Sequence, residues 1–353
     1  MTWLDVPLTQ DQIDVIVLVN ALVGKHGPAP GDERPVDVAK ARRALADAGL
    51  WALGAAEEVG GGGAPLQLRL TALAALGAHW AALAWASAQA HAAVEILGGH
   101  AAWGELLQRI TSGGAAACVV DLDSARVDLG VMDGRILGTI ARLDPAGVAP
   151  HVLVLVDDST VWVLPPDSLR TGPALRRAGM AGACTSVANV TAARPSIVGH
   201  ARVAEIRARL QLGGAAIAAG ISIEAAEQSL EYARSRIQFG AALTALPTVR
   251  QSLFGQAGQA ADSLAVLLSP DPPSPVHAAA ALAENCARAV SVAAAAVQSH
   301  GGYGYLAEYG VERLLRDAVS LRAATDSANG ARAAAALLAG HAAKDTEARP
   351  ARR

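Results

Sequence analysis

The chain has 353 residues, a formal net charge of −3, and a composition that is 52% hydrophobic, 3% aromatic and 17% charged. That length suits two or three structural units, and the mild negative charge argues against nucleic acid or another polyanion as partner. With so few aromatic residues the core must be Ala, Leu and Val, which favours long, closely packed helices and stabilisation shared with an oligomer interface.

Residues 1–111 read as a helical domain. The start, MTWLDVPLTQDQID, is polar and acidic, without the basic and apolar regions of a signal peptide. Thr9-Gln-Asp-Gln12 is a capping box opening a helix whose stripe is Ile13, Val15, Ile16, Val19 and Leu22. After a loop at residues 28–35, residues 36–48 form a second helix, which Gly49 ends. Residues 51–65, with Gly60 to Gly63 consecutive, cannot continue a helix and form a loop. Residues 66–97 and 101–111 return to helix. The Ala-rich stretches at 72–93 and 287–296 are interrupted by His, Gln, Ser or Arg. A membrane span needs about 20 mostly apolar residues, so no membrane contact and a cytoplasmic location are expected.

Residues 112–197 change period and read as a small antiparallel β domain. Strand-like runs fall at 117–122, 126–132, 135–143, 152–156 and 160–164, with a further one at 187–190. Asp133-Gly134 and Asp157-Asp158 sit between pairs of them as hairpin turns. Residues 198–345 are helical again. Val203, Ile206, Leu210, Ile217 and Ile221 share one face of a long helix running to Arg236. Breakers at 239–247, 269–275 and 301–304 divide the rest, giving an antiparallel four-helix bundle. Residues 346–353 are expected to be a disordered tail. Cys118, Cys184 and Cys286 are far apart and lack metal-ligand spacing, as small buried residues of a reducing compartment would be.

Three segments carry a recognisable pattern. Tyr232-Ala-Arg-Ser-Arg236-Ile-Gln238-Phe239-Gly240 closes the long helix. Gln298-Ser-His300-Gly301-Gly302-Tyr303-Gly304-Tyr305 precedes Tyr309-Gly-Val-Glu-Arg313-Leu-Leu-Arg316-Asp317. Near the start, Gly49-Leu-Trp-Ala-Leu-Gly54 is followed by Glu57-Glu58-Val-Gly-Gly61. Alone, the first would be a helix end with an exposed Arg and the second a plain turn. In this order and separation they resemble the acyl-CoA dehydrogenase family, most strongly over residues 198–320.

The resemblance implies a mainly α fold with a small β domain between an N-terminal helical domain and a C-terminal four-helix bundle, and FAD as cofactor. It implies that Arg236, Gln238 and Phe239 reach the FAD of a neighbouring subunit. Gln298, Gly301, Gly302 and Gly304 match residues that contact the adenosine and pyrophosphate of that same FAD. The chemistry agrees, because a guanidinium can hold a pyrophosphate bidentately and glycines let backbone N–H groups approach an anion. His300 takes no catalytic role, and Arg313, Arg316 and Asp317 are expected to form structural ion pairs.

The pattern fails elsewhere. The family's usual catalytic Glu aligns with Thr325, its preceding Tyr with Ala324, and the alternative Glu position with Leu210. A threonine hydroxyl is too weak a base for an acyl α-proton. Asp326 stands one residue off register as the fallback. The family's flavin-binding strand motif, expected near residues 118–126, is absent, and its flavin-packing Trp and Thr align with Arg142 and Asp144. What would serve the chain's own flavin is degraded, and what serves a neighbour's is kept.

The leading expectation is therefore the non-catalytic subunit of a heteromeric (α2β2) acyl-CoA dehydrogenase, with no catalytic residue of its own. A catalytic paralogue would carry out α,β-dehydrogenation of an acyl-CoA substrate, with electron-transfer flavoprotein as electron acceptor. Such arrangements occur in the family among actinobacterial enzymes acting on steroid-CoA. Two other readings stay open: a self-sufficient homo-oligomeric flavoenzyme using Asp326 as base, and a structural paralogue without flavin.

Overall fold

The structure is a computed structural model that describes residues 6–27, 35–147, 149–199, 202–269 and 274–339. The tail expected at 346–353 and nearly all of the loop expected at 28–35 lie outside the described residues. The architecture is mainly α with a small β region between two sets of helices, as expected.

The first set comprises α1 (Gln10–His26), α2 (Pro35–Asp47), α3 (Leu66–His79), α4 (Ala81–Leu97) and α5 (Gly104–Thr111). The capping box forms: the Thr9 hydroxyl accepts from the Gln12 N–H, and Gln12 Oε1 accepts from the Thr9 N–H at 2.9 Å. Ile16 and Val19 of the stripe are buried, whereas Ile13 faces outward. The single helix expected over 66–97 is two, because Trp80 leaves helical geometry (φ −150°, ψ 80°) as its indole enters the core.

The β region differs from the expectation of a wholly antiparallel unit. One sheet has the order β1 (Ala117–Asp121), β4 (His151–Leu155), β5 (Val161–Leu164), β8 (Ser196–Val198). The other has β2 (Val127–Met132), β3 (Arg135–Leu143), β7 (Ser186–Ala193), β6 (Leu169–Thr171). β1 and β4 pair in parallel, Ala117 opposite His151. Between them the chain crosses to the second sheet, makes the β2–β3 hairpin and returns in the original direction; a crossover is what a parallel pair requires. The hairpin turns on Asp133 (φ 52°) and Gly134 (φ 69°), the positive pair a two-residue turn needs.

The second set is α6 (Val203–Ser235), α7 (Pro247–Ala265), α8 (Pro275–His300), α9 (Val311–Ala324) and α10 (Ser327–Leu338). The last segment of the expected bundle is thus split, at Asp326, which sits in the left-handed region (φ 49°, ψ 40°). Segment Pro275–Tyr305 is long and apolar enough to cross a membrane by length and composition. Its buried residues Ala278, Leu282, Ala289, Val292 and Ala293 form the face that packs on α6, α7 and α9.

A histidine ties the first set together. His91 of α4 is buried; its Nδ1–H donates to the Ser87 carbonyl at 2.8 Å, and its Nε2 accepts from the Gly54 N–H at 3.1 Å. Burial, helped by the nearby Arg69 charge, pushes its pKa down to about 3. The folded state therefore holds His91 neutral, while the unfolded chain takes up a proton near pH 6.5. The stability is fully present above pH 6.5 and is lost as pH falls toward 3, at about 1.4 kcal/mol per pH unit. A His91→Gln variant, whose side chain can still accept from Gly54, should lose less Tm between pH 7 and pH 5 than the parent. Equal losses in a thermal melt at both pH values would reject this assignment.

Candidate functional site

The residues matching the two C-terminal boxes meet at one end of the bundle. Arg236 ends α6, its N–H bonded to the Tyr232 carbonyl at 2.9 Å. Its guanidinium carbon lies 5.3 Å from the centroid of the Tyr303 ring, in cation–π range. Tyr232 stacks on His300 with centroids 4.3 Å apart, and Tyr309 packs edge-on to both. His300 is buried, its Nδ1 bonded to the Ala296 carbonyl. These rings join the end of α6 to the loop after α8 and leave His300 a packing role.

Beyond Arg236 the chain makes a small hairpin, β9 (Ile237–Gln238) with β10 (Ala241–Ala242). Its two turn residues are Phe239 (φ 53°) and Gly240 (φ 79°). A bulky side chain at positive φ is unfavourable, and here it holds Phe239 outward with 90% of its surface exposed. Gln238 and Gln298 are exposed as well.

The three glycines of the loop separate into two kinds. Gly301 has φ 59°, and a Cβ on Gly301 or Gly302 would meet nothing within 4 Å. Their backbone faces open space, as the approach of an anion requires. Gly304 is buried, and a Cβ there would lie 2.3 Å from the Val297 carbonyl oxygen. Its role is to seat the loop on α8. The half-buried Arg236 and the open glycine backbone together fit a pyrophosphate approaching from outside the chain.

The usual base positions lie elsewhere, around a cleft open to solvent. Leu210, Thr325 and Asp326 all line it. The Thr325 hydroxyl donates to the Leu321 carbonyl at 3.0 Å, an ordinary helix back-bond. Asp326 accepts from the Ser124 hydroxyl at 2.5 Å and sits 3.5 Å from Arg126. Arg126 also donates to the Ala323 carbonyl. These contacts clamp the turn after β1 onto the junction of α9 and α10.

Two further ion pairs stand in the cleft. Arg207 holds Asp121 bidentately at 2.6 and 3.3 Å. Arg142 donates from Nε to Asp144 at 2.6 Å, both side chains being buried, and Thr185 donates to the other Asp144 oxygen. Gln89 bridges this pair to β1, donating to the Asp144 carbonyl and accepting from the Val119 N–H. Asp121, Ser124, Arg207, Gln89 and Thr185 were invisible to motif reasoning, because their partners come from distant elements.

Arg313 and Asp317 form an ion pair at 3.1 Å. Asp317 also accepts from the Met180 N–H, and Arg313 donates to the His79 carbonyl, so the pair joins α9 to both α3 and the β region. Burial pushes the Asp317 pKa up and Arg313 pulls it back. Arg316 pairs with Glu312 at 2.5 Å.

The family described as acyl-CoA dehydrogenase, C-terminal domain, matches residues 206–336. Residues 206–336 are thus similar to acyl-CoA dehydrogenase C-terminal domains. A Bacillus subtilis (strain 168) protein named "Probable acyl-CoA dehydrogenase" is 37% identical over 110 residues, 30% of this chain. That match spans only 29% of the relative's own length. A glutaryl-CoA dehydrogenase from Mycobacterium smegmatis, solved with FADH2, covers 96% of each chain at TM-score 0.80 and 16% identity. A steroid ACAD structure covers 94% of this chain and 99% of its own at TM-score 0.76 and 19% identity. At these identities the structures establish the fold alone: the acyl-CoA dehydrogenase architecture extends over nearly the whole chain.

The two kinds of glycine in this loop should respond differently. Gly304→Ala forces a Cβ against backbone and should cost about 1–3 kcal/mol, read as a lower Tm. Gly302→Ala should leave Tm within about a degree of the parent. Equal tolerance at both positions would contradict the packing described.

Proposed function

We propose that this chain is a subunit of a flavin-dependent acyl-CoA dehydrogenase complex and completes the FAD site of a catalytic paralogue. The observation that carries this is the contrast between the bundle end and the cleft. At the bundle end Arg236, the open backbone of Gly301 and Gly302, and the outward Phe239 are presented to a neighbour. In the cleft, Thr325 and Leu210 are not bases, and Asp326 is engaged by Ser124 and Arg126.

In this reading Arg236 holds the pyrophosphate, the absent side chains of Gly301 and Gly302 let it approach the loop backbone, Gln238 and Gln298 add hydrogen bonds, and Phe239 packs on the partner. Gly304 keeps the loop seated. FAD, when bound, supplies the hydride acceptor for α,β-dehydrogenation of an acyl-CoA thioester. The paralogue supplies the base and the acyl site, and electron-transfer flavoprotein takes the electrons. The buried Arg142–Asp144 pair does not suit the face of a neutral flavin ring, so no flavin is assigned to this chain's own cleft. The steroid ACAD among the solved structures of the same fold supports a steroid-CoA substrate, and we propose a heterotetramer for the complex. We place the complex in the cytoplasm.

The test is co-expression with the catalytic paralogue, followed by the flavin-to-protein ratio. The complex should carry flavin and turn over, whereas the chain alone should do neither. A charge-assisted Arg–phosphate contact contributes about 1.5–3 kcal/mol. Arg236→Ala should therefore weaken flavin retention roughly ten- to a hundredfold, with Arg236→Lys between. Flavin content unchanged by Arg236→Ala would favour a purely structural paralogue.

Because Asp326 does line the cleft, a self-sufficient flavoenzyme using it as base is the second reading. Under the proposal Asp326→Asn leaves turnover of the complex unchanged. Abolished turnover in the purified single chain would establish the second reading instead.

A further inference from the structure

We propose that Tyr303 is a positioning residue: its ring holds the Arg236 guanidinium in the orientation in which that group meets the pyrophosphate of a neighbouring subunit's FAD. The inference rests on the function proposed for the bundle end and names the device that aims its cation. The guanidinium carbon of Arg236 lies over the Tyr303 ring, 5.3 Å from the centroid. Among the described residues no carboxylate pairs with that guanidinium and no hydrogen bond holds it, so the ring is what restrains it. An arginine left to sample its rotamers loses that freedom when a ligand fixes it, and a contact that fixes it beforehand removes the cost. A cation–π contact engages the charge without taking up a hydrogen-bond acceptor, so the N–H donors stay available to phosphate oxygens.

Tyr303 is itself held by a closed circuit of contacts. Its ring centroid lies 5.2 Å from that of Tyr309. Tyr309 packs edge-on to Tyr232 and His300, 6.2 Å from each, and those two rings stack at 4.3 Å. Tyr232 stands one turn before Arg236, and its carbonyl accepts the Arg236 N–H. The circuit therefore leaves α6 at Tyr232, passes through His300, Tyr309 and Tyr303, and returns at Arg236. Stacked and edge-on rings favour defined geometries. The head of Arg236 is thereby set against the loop whose Gly301 and Gly302 immediately precede Tyr303.

Two features separate positioning from plain loop packing. Tyr303 is 39% exposed, so its ring does not serve to fill the core. Its hydroxyl makes no hydrogen bond among the described residues. The aromatic face is the part that acts, and a phenylalanine would supply it.

The test is the dissociation constant of FAD from the complex with the catalytic paralogue, read by flavin fluorescence on dilution, alongside Tm. An exposed cation–π contact is worth about a two- to fivefold change in affinity. Tyr303→Leu should weaken FAD retention by that factor with Tm close to the parent, and Tyr303→Phe should hold FAD as the parent does. In the Arg236→Ala background Tyr303→Leu should have no further effect, because the ring acts through Arg236. A role in loop packing would lower retention in both backgrounds. Tyr303→Met, which also lacks a ring, decides the matter if Tyr303→Leu fails to fold. Parental retention in the ringless variant, loss of FAD from Tyr303→Phe, or an equal loss in both backgrounds would overturn the proposal and leave the role of Arg236 intact. FAD affinity unmoved by Arg236→Ala would instead remove the function proposed for the bundle end, and this inference with it.

Discussion

The close approach of α6 to α3 is the constraint on which the remaining structure depends. A Cβ on Gly220 would lie 2.0 Å from the Ala74 carbonyl oxygen, and one on Gly77 would lie 2.8 Å from Ile217 Cα. The two backbones therefore touch, with no room for larger side chains between them. An Ala- and Gly-rich composition makes such contact possible, since each small residue trades buried area for proximity. α6 has 33 residues and so is about 50 Å long. It carries Arg207 and Leu210 into the cleft near its start and delivers Arg236 at its end. Fixing α6 against α3 thus fixes the separation between the cleft and the bundle end.

In the cleft the Arg142–Asp144 pair is buried, and the Arg207–Asp121 and Arg126–Asp326 pairs are partly exposed. Each acid there is partnered, by Arg207, Arg126 or Arg142, and two of them also accept from a hydroxyl. Breaking one partner of such a pair strands the other in a poorly solvated place, which is why buried pairs persist once established. The Arg126–Asp326–Ser124 group also closes the turn after β1 against the α9–α10 junction. That explains how a non-glycine residue is kept at positive φ there, since the surrounding contacts over-determine it.

Local signals were legible where one short segment carries the whole pattern. The Thr9 capping box, the Asp133-Gly134 turn and the α6 stripe from Val203 to Ile221 all form as the residues dictate. Signals that depend on distant neighbours were not. The parallel β1–β4 pair needs a crossover that no spacing records. β6 and β8 have three residues each, too few for alternation to show. The break at Trp80 depends on where its indole finds space. In the site, the chemistry of Arg236 and of the glycine loop was readable from residue type. That Tyr303 lies against Arg236, and that Gly304 packs while Gly301 and Gly302 face outward, was not.

The sequence by itself determined most of the helices and the longer strands, the acyl-CoA dehydrogenase C-terminal boxes, and the absence of a glutamate at Leu210 and Thr325, because periodicity and residue type are local properties. Only the tertiary structure decided which charges meet. Asp326 stands beside Ser124 and Arg126, and Asp144 takes Arg142 Nε on one oxygen and the Thr185 hydroxyl on the other. The contacts of Asp326 with Ser124 and Arg126, and of Asp144 with Thr185, span elements far apart in the chain, whereas Arg142 and Asp144 stand two residues apart. Hydrogen-bond geometry is set by tertiary packing, and no order of residues along the chain encodes it directly.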